Sequence, residues 1–295
     1  MAPSATRKAD EGGKPDVASG WVLVTGASAG IGRELARAFA SKGRDLVLVA
    51  RSHETTTGLA RELIGTSGVN VKTIPADLSV AGAAEAIFEG LSRRGLSVDI
   101  LVNNAGVLFE GDFSSIPLED HLRLLQINVV ALTALTRLFL PSMLQRRAGR
   151  ILNVASTSAF MPVPRLAAYA AAKAYVLSLT ESLSEELRGS GVTATALCPG
   201  FTDTSMMRGS RLGKSVPSVM VMSPAAVAEQ GCAACLAGET ICIPGLANKL
   251  IASGTPLLPR ALVRGVGGMI NGEGLGRIAS AWRSRAPPSD KESSR

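Results

Sequence analysis

The chain has 295 residues, of which 46% are hydrophobic and 19% are charged. This composition excludes a disordered or fibrous protein and supplies enough apolar side chains for a large core. Aromatic residues make up only 4%, which argues against an aromatic-stacking binder of single-stranded nucleic acid. Most of the net charge of +7 lies from Lys249 onward, where eight basic and three acidic residues indicate a solvated basic segment and no nucleic-acid interface.

Short apolar runs alternate with helical patterns along most of the chain. The first half contains strand WVLVTG, helix GRELARAFASKG, strand DLVLVA, helix HETTTGLARELIGTSG, strand VNVKTIPADL, helix AAEAIFEGLSRRG and strand DILVNNAG. The second half contains a helical region over 118–147 with Pro141 as an expected kink, strand GRILNVAS, a helix over 166–188, strand GVTATALCPG, a helix over 224–237 and strand ICIPG. We therefore predict an α/β fold: a doubly wound, Rossmann-like parallel sheet of about seven strands.

This alternation predicts a single catalytic domain over residues 20–245, with a disordered tail over 1–19. A helical C-terminal extension is expected over 246–282, followed by a disordered tail over 283–295. The extension alternates apolar and basic residues, which suits packing on its own domain, a cover for the pocket, an oligomer contact or a membrane surface. Because neither a secretory signal nor an apolar run of about 18 residues is present, we expect a cytoplasmic protein, with peripheral membrane association as an option.

Cysteine spacing does not predict a metal site. Cys232 and Cys235 form a CxxC pair in a helical segment of small residues, without a second pair or a nearby histidine. A buried helix face is the preferred interpretation.

A glycine-rich loop, TGASAGIG, follows the first strand and opens the first helix. Its glycines, Gly26, Gly30 and Gly32, would let backbone amides approach a phosphate at the helix N-terminus. Ser28 and Ile31 belong to the same candidate cofactor loop. A simple turn between strand and helix is the alternative.

The end of the second strand bears on the choice of cofactor. An NAD-binding site usually has a carboxylate at this point, but Arg51 follows Ala50 here. A guanidinium can bind a 2′-phosphate through charge-assisted hydrogen bonds, so NADP(H) is favoured over NAD(H). A solvated loop arginine is the alternative.

Three polar residues are candidates for catalysis. Tyr169 and Lys173 are four residues apart in a helical segment, so both side chains lie on one face. An ammonium beside a phenol would lower the phenol pKa and make Tyr169 a general acid or base. Ser156 ends the fifth strand, where ligands bind in doubly wound sheets, although strand termination or helix capping is also possible there.

Together these segments resemble the short-chain dehydrogenase/reductase family from about Trp21 to Gly245. The resemblance adds Asn128 to the catalytic residues Ser156, Tyr169 and Lys173. It also implies further cofactor contacts in NNAG, in ADL and in the loop PGFTDT, namely Asp77, Asn104, Ala105, Gly106, Pro199, Gly200, Thr202 and Thr204. Thr202 departs from the Val or Ile usual at its position, which matters little if the contact is through the backbone.

The resemblance implies an NADP(H)-dependent oxidoreductase that reduces a ketone to a secondary alcohol by hydride transfer. Ser156 would polarise the carbonyl, Tyr169 would protonate it and Lys173 would bind the nicotinamide ribose, while Asn128 would hold a relay water. A catalytically silent NADP-binding sensor or scaffold is the alternative. Small-molecule carbonyl or alcohol substrates and a homodimer or homotetramer are the expected partners.

Two segments are expected to wall the substrate site: AFMPVPRLAA, and SMMRGSRLGKSVPSVMVM after the PG loop. Their Met, Val and Pro residues suit an apolar or acyl-type substrate. Arg208, Arg211 and Lys214 are candidates for meeting a phosphate or carboxylate, with a solvated lid as an equally weighted alternative.

Overall fold

The computed structural model describes residues 20–210, 216 and 220–254. The predicted tails, the extension beyond residue 254, Arg211 and Lys214 lie outside the described residues. The strands are β1 (Trp21–Thr25), β2 (Leu46–Ala50), β3 (Val71–Pro75), β4 (Val98–Asn103), β5 (Gly149–Val154), β6 (Val192–Leu197) and β7 (Ile241–Cys242). The helices are α1 (Gly30–Ala40), α2 (His53–Ser67), α3 (Ala83–Ser92), α4 (Leu118–Leu125), α5 (Leu132–Arg146), α6 (Ala167–Glu186), α7 (Ser205–Arg208), α8 (Pro224–Ala237) and α9 (Leu246–Gly254).

All seven strands are parallel and form one sheet in the order β3-β2-β1-β4-β5-β6-β7. The predicted doubly wound α/β fold is therefore confirmed. The strand order reverses between β1 and β4, because the chain runs outward from β1 to β3 and returns to pair β4 with β1. Ligands bind at such a reversal, beside the carboxyl ends of the strands.

Both faces of the sheet are covered by helices, which explains why most positions of its strands are apolar. In β1, Val22 and Val24 pack in a cluster with α1, α2 and α8, whereas Leu23 points into a second cluster with α3 and α5. Cys232 and Cys235 are free thiols on the buried side of α8, as expected from the sequence.

A chain of buried amides and hydroxyls crosses the core beside the carboxyl ends of β4 and β5. Asn103 Nδ2 donates to Thr136 Oγ1 at 3.0 Å and to Asn153 Oδ1 at 2.9 Å, and Asn153 Nδ2 donates to Thr180 Oγ1 at 2.9 Å. These bonds connect two strands to α5 and α6 in a setting where unpaired polar groups would be costly. They help to fix the sheet edge on which the candidate site is built.

The predicted long helix is interrupted by a π-helical segment, Gln126–Ala131, that joins α4 to α5. The whole stretch, Leu118–Arg146, is long and apolar enough to cross a membrane by length and composition. Its buried side, however, contributes Ile127, Leu135 and Met143 to the core cluster on one face of the sheet. In this structure it is a core helix, and α5 continues through Pro141.

Candidate active site

A cavity of about 740 Å³ opens at the carboxyl ends of the central strands. With the exception of Asn128, the predicted catalytic and cofactor-binding residues all line it: Gly26, Ser28, Gly30, Ile31, Gly32, Arg51, Asp77, Asn104, Ala105, Gly106, Ser156, Tyr169, Lys173, Pro199, Gly200, Thr202 and Thr204. Residues from seven separate segments thus meet at one place.

The glycine turn is a tight cradle that leaves no room for side chains. Gly26 and Gly30 have φ values of +67° and +55°, which L side chains rarely adopt. A Cβ on Gly26 would lie 2.8 Å from Asn104 Nδ2, and one on Gly32 would collide with the same amide. All three glycines also line the cavity at the N-terminus of α1, and this arrangement fits the pyrophosphate of a dinucleotide.

Thr25, the last residue of β1, ties the glycine turn to β4. Its Oγ1 accepts hydrogen bonds from the backbone amides of Asn104 and Ala105, each at 3.0 Å, and donates to the Val102 carbonyl at 3.2 Å. Asn104 Nδ2 donates in return to the Thr25 carbonyl at 2.8 Å. Sequence reasoning missed Thr25, although its place at the strand end was a usable signal.

The end of the cavity beside β2 and β3 carries a cation and an anion. Arg51 is exposed directly after β2, and Asp77 follows β3. Hydrogen bonds from the Ser79 amide (2.9 Å) and hydroxyl (2.7 Å) lower the pKa of Asp77, and the charge of Arg51 adds to that effect. A dinucleotide bound here would meet an ionised carboxylate and an accessible guanidinium.

Ser156, Tyr169 and Lys173 converge beside the end of β5. Tyr169 and Lys173 lie one turn apart on α6, and Lys173 Nζ is 5.6 Å from the centroid of the Tyr169 ring. Lys173 Nζ donates to the Val154 carbonyl at 2.7 Å. Ser156 Oγ accepts from the Ser158 amide at 3.1 Å, so Ser156 also caps a short 3₁₀ turn, as the capping interpretation expected.

Burial dominates the acid–base chemistry of this pair. Removal from water raises the pKa of Tyr169 to about 12, and a hydrogen bond with Ser156 opposes the rise. Burial also lowers the pKa of Lys173 to about 8. The pKa of Tyr169 is thus raised and not lowered as the sequence predicted, and Lys173 is not among the groups that shift it. Tyr169 is protonated at neutral pH.

Asn128 lies behind the cavity wall, in the π-helical segment. Its Oδ1 accepts from the Val107 amide at 2.9 Å, and its Nδ2 donates to the Val107 carbonyl at 3.0 Å. A Cβ added to Gly106 would be 3.4 Å from Asn128 Oδ1 and 3.7 Å from Lys173 Nζ. Asn128 thus fixes the turn after β4 and lies near Lys173.

The loop after β6 closes the opposite wall. Thr202 forms a parallel bridge with Met222, and Thr204 Oγ1 accepts from the Met207 amide at 3.3 Å as the N-cap of α7. The Thr204 methyl group would be 3.1 Å from a Cβ on Gly30, so this loop meets the glycine turn. Asn248, from α9, also lines the cavity and was not predicted.

The remaining wall of the cavity is apolar. It includes Leu108, Met161, Val163, Leu166, Phe201, Met206, Met207 and Met220, in partial agreement with the two segments expected to wall the substrate site. Arg208 pairs with Asp203 at 2.7 Å and does not line the cavity. A second cavity of about 620 Å³ shares Leu108 and Met206 with the first and is bordered by polar residues that include Ser115 and Arg165.

Comparison with known proteins agrees with this geometry. The short chain dehydrogenase family matches residues 20–215. The very-long-chain 3-oxoacyl-CoA reductase of Rattus norvegicus is 33% identical over 244 residues, which cover 81% of this chain and 76% of the relative. A short-chain dehydrogenase from Sphingobium yanoikuyae, solved in complex with NADPH, superposes with a TM-score of 0.72 at 31% identity, over 94% of this chain and 99% of that one.

A further solved structure is similar over most of its length. The bulky-bulky ketone specific alcohol dehydrogenase from Comamonas testosteroni gives a TM-score of 0.69 at 30% identity, over 81% of this chain and 93% of that one. The family match, the relatives and the cavity agree on the class of protein. The chain belongs to the short-chain dehydrogenase/reductase family and is an NAD(P)-dependent oxidoreductase.

Proposed function

We propose that this enzyme reduces the carbonyl group of an apolar ketone to a secondary alcohol, with NADPH as the reductant. The observation that carries the proposal is the meeting of Ser156, Tyr169 and Lys173 with the glycine turn and an apolar wall around one cavity. The Ser156 hydroxyl would hydrogen-bond the carbonyl oxygen, and Tyr169 would donate a proton to it as negative charge develops. Lys173 would supply positive charge beside the phenol and bind the nicotinamide ribose.

Ketone reduction requires Tyr169 in its protonated form. A pKa of about 12 keeps the Tyr169 proton available for donation at neutral pH. Oxidation of an alcohol would need the tyrosinate, which burial disfavours. We propose that Asn128 holds a water near Lys173, so that the phenol can be reprotonated from solvent.

The residues along the cavity fit NADP(H). When bound, the dinucleotide supplies the hydride. The cradle of Gly26, Gly30 and Gly32 would take its pyrophosphate, Asp77 would contact the adenine, and Arg51 would pair with the 2′-phosphate. Further contacts would come from the turn after β4 and the loop after β6. The exposure of Arg51 directly after β2, where an NAD site usually has a carboxylate, supports the preference for NADP(H).

The substrate we propose is a bulky ketone or a long-chain 3-oxoacyl thioester. Four methionines in the cavity, Met161, Met206, Met207 and Met220, can adapt to varied apolar shapes. Two relatives are named for very-long-chain 3-oxoacyl-CoA and for bulky-bulky ketones. The neighbouring polar cavity offers space for the polar end of such a substrate.

Two exposed apolar surfaces support proposals about partners. Leu118, Leu122 and Leu125 project from one side of α4, with exposed fractions of 71%, 56% and 40%. We propose that this stripe joins two copies in a homodimer or homotetramer. Leu246 and Leu250, on α9, are 75% and 67% exposed and support peripheral contact with a membrane for an enzyme that acts in the cytoplasm.

A ketone panel assayed by NADPH oxidation tests the proposed reaction. It would compare a short diketone, a bulky steroid ketone, and short- and long-chain 3-oxoacyl-CoA, each with NADPH and with NADH, and identify the alcohol product by mass spectrometry. We expect the bulky and long-chain substrates to be reduced fastest, with NADPH preferred. Nucleotide binding without turnover of any ketone would instead support the silent sensor or scaffold.

A further inference from the structure

Helix α9 lies beyond the part of the chain that the family match covers, yet it reaches the cavity. Its side chains divide between two sides: Leu246 and Leu250 are exposed, whereas Asn248 and Ala252 are buried at 8% and 1% exposure. A carboxamide on the buried side of a helix needs polar partners, because burying an unpaired amide is costly. Its contacts therefore indicate what Asn248 does.

Asn248 packs directly against Gly200 in the loop after β6. A Cβ on Gly200 would collide with the amide of Asn248: Oδ1 would be the nearest atom, followed by Cγ and Nδ2 at 2.5 Å each. The φ of Gly200 is not in the left-handed region. Glycine is required at position 200 because a side chain there would collide with the amide of Asn248. The backbone conformation at this position does not itself require glycine.

The hydrogen bonds of Asn248 fix which way its amide points. Nδ2 donates to the Pro244 carbonyl at 2.8 Å and lies 3.8 Å from Met222 Sδ. Because a carbonyl can only accept, this contact assigns the nitrogen to Pro244 and leaves Oδ1 on the other side. Within residues 20–210 and 220–254, no group donates a hydrogen bond to Oδ1. Asn248 therefore brings an unused acceptor to the cavity wall.

Asn248 contacts the loop after β6 and also the segment at Met222 that pairs with this loop. The Met222 amide donates to the Phe201 carbonyl at 2.9 Å, and the Asp203 amide donates to the Met222 carbonyl at 3.0 Å. With Gly200 on one side and Met222 on the other, the amide of Asn248 lies between the loop and the segment paired with it. The Thr157 amide donates to the Pro199 carbonyl at 2.9 Å, so the same loop lies beside Ser156, where the proposed hydride transfer requires the nicotinamide. A change at Asn248 would therefore alter the packing of the loop at that end of the cavity.

We propose that Asn248 is a positioning residue for the nicotinamide end of the cofactor. It holds the loop at Gly200 and offers Oδ1 as an acceptor for the N–H groups of the nicotinamide carboxamide. The C-terminal extension thereby takes part in cofactor binding. This inference rests on the proposed binding of NADPH.

Equilibrium binding of two nucleotides tests the inference without turnover. NADPH carries the nicotinamide, whereas 2′,5′-ADP carries only the adenosine half. We expect Asn248→Ala to raise the Kd of NADPH about three- to tenfold, the effect of losing one hydrogen bond, and to change the Kd of 2′,5′-ADP less than about twofold. Lys249→Ala, an exposed neighbour on the same helix, is the matched control and should bind both like the wild type.

A double mutant provides a second test of the inference if Asn248→Ala perturbs folding. Gly200→Ala should weaken NADPH binding because its Cβ collides with Asn248, and Gly200→Ala with Asn248→Ala should bind NADPH more tightly than Gly200→Ala alone. Equal weakening of NADPH and 2′,5′-ADP by Asn248→Ala, or a double mutant no better than Gly200→Ala, would overturn the inference. A wild-type enzyme that fails to bind NADPH would overturn the proposed function as well.

Discussion

The Nζ atom of Lys173 donates a hydrogen bond to the carbonyl oxygen of Val154 at 2.7 Å. Val154 ends β5, two residues before Ser156, so this bond fixes α6 relative to the strand that carries the serine. It also keeps the ammonium in a buried position, where desolvation lowers the pKa of Lys173 to about 8. The charge of Lys173 therefore depends on pH within the working range of an enzyme.

This lowered pKa leads to a prediction about pH. We expect kcat/KM for ketone reduction to fall as the pH rises through about 8, because Lys173 loses the positive charge that stabilises the developing oxyanion. Tyr169 does not contribute to this fall, since its pKa is about 12. Lys173→Arg keeps its charge and should move the fall to higher pH. If kcat/KM of Lys173→Arg falls at the same pH as that of the wild type, a group other than Lys173 is responsible for the titration.

Arg51 provides a prediction about cofactor choice. Arg51→Asp should raise the Kd of NADPH about ten- to a hundredfold, because the 2′-phosphate loses a charged hydrogen-bond partner. The Kd of NADH should change much less. Arg94→Asp, an exposed substitution of the same charge elsewhere, is the control for net charge. If Arg51→Asp raised the Kd of NADPH and of NADH equally, Arg51 would not determine the preference for NADPH.

Thr25 connects stability to the shape of the glycine turn. Thr25→Val keeps the side-chain volume but removes the acceptor for the buried amides of Asn104 and Ala105. We expect the free energy of unfolding in urea to fall by about 1–3 kcal/mol. Thr25→Ser retains the hydroxyl and should lose less. A larger loss in Thr25→Ser than in Thr25→Val would show that the methyl group, and not the hydroxyl, stabilises the turn.

The apolar stripe on α4 predicts the effect of a surface charge on assembly. Leu122→Arg should convert a dimer or tetramer into a smaller species, because a charge would be buried at the proposed contact. Light scattering coupled to size-exclusion chromatography measures the mass directly. Val80→Arg, at a 60% exposed position after β3, is the control. If the wild type is an oligomer and Leu122→Arg has the same mass, the contact between subunits lies elsewhere.

The sheet was predictable because its strands are buried on both faces. Val22, Leu23 and Val24 form a continuous apolar run, and such a run ended by a glycine indicates a parallel strand with helices on both sides. The glycine turn and the pair Tyr169 and Lys173 were also readable, since their spacing along the chain sets their geometry. The structure brings these residues together as that spacing implied.

Other features depend on contacts that spacing does not determine. The π-helical segment at Gln126–Ala131 gave no local signal, and it places Asn128 behind the cavity. The rise of the Tyr169 pKa depends on burial, and a hydrogen bond with Ser156 opposes it. Asn248 comes from a helix whose polar residues read as surface, and only the packing against Gly200 shows its place in the site.

Tyr169→Phe tests the central claim most directly, in a ketone reduction assay paired with NADPH binding. Removing the phenol hydroxyl should lower kcat about a hundredfold to ten-thousandfold, the contribution of a general acid, and should leave the Kd of NADPH within about twofold. Tyr175→Phe, on the exposed side of the same helix, should keep wild-type turnover. Turnover by Tyr169→Phe at the wild-type rate would contradict the assignment of Tyr169 as the proton donor.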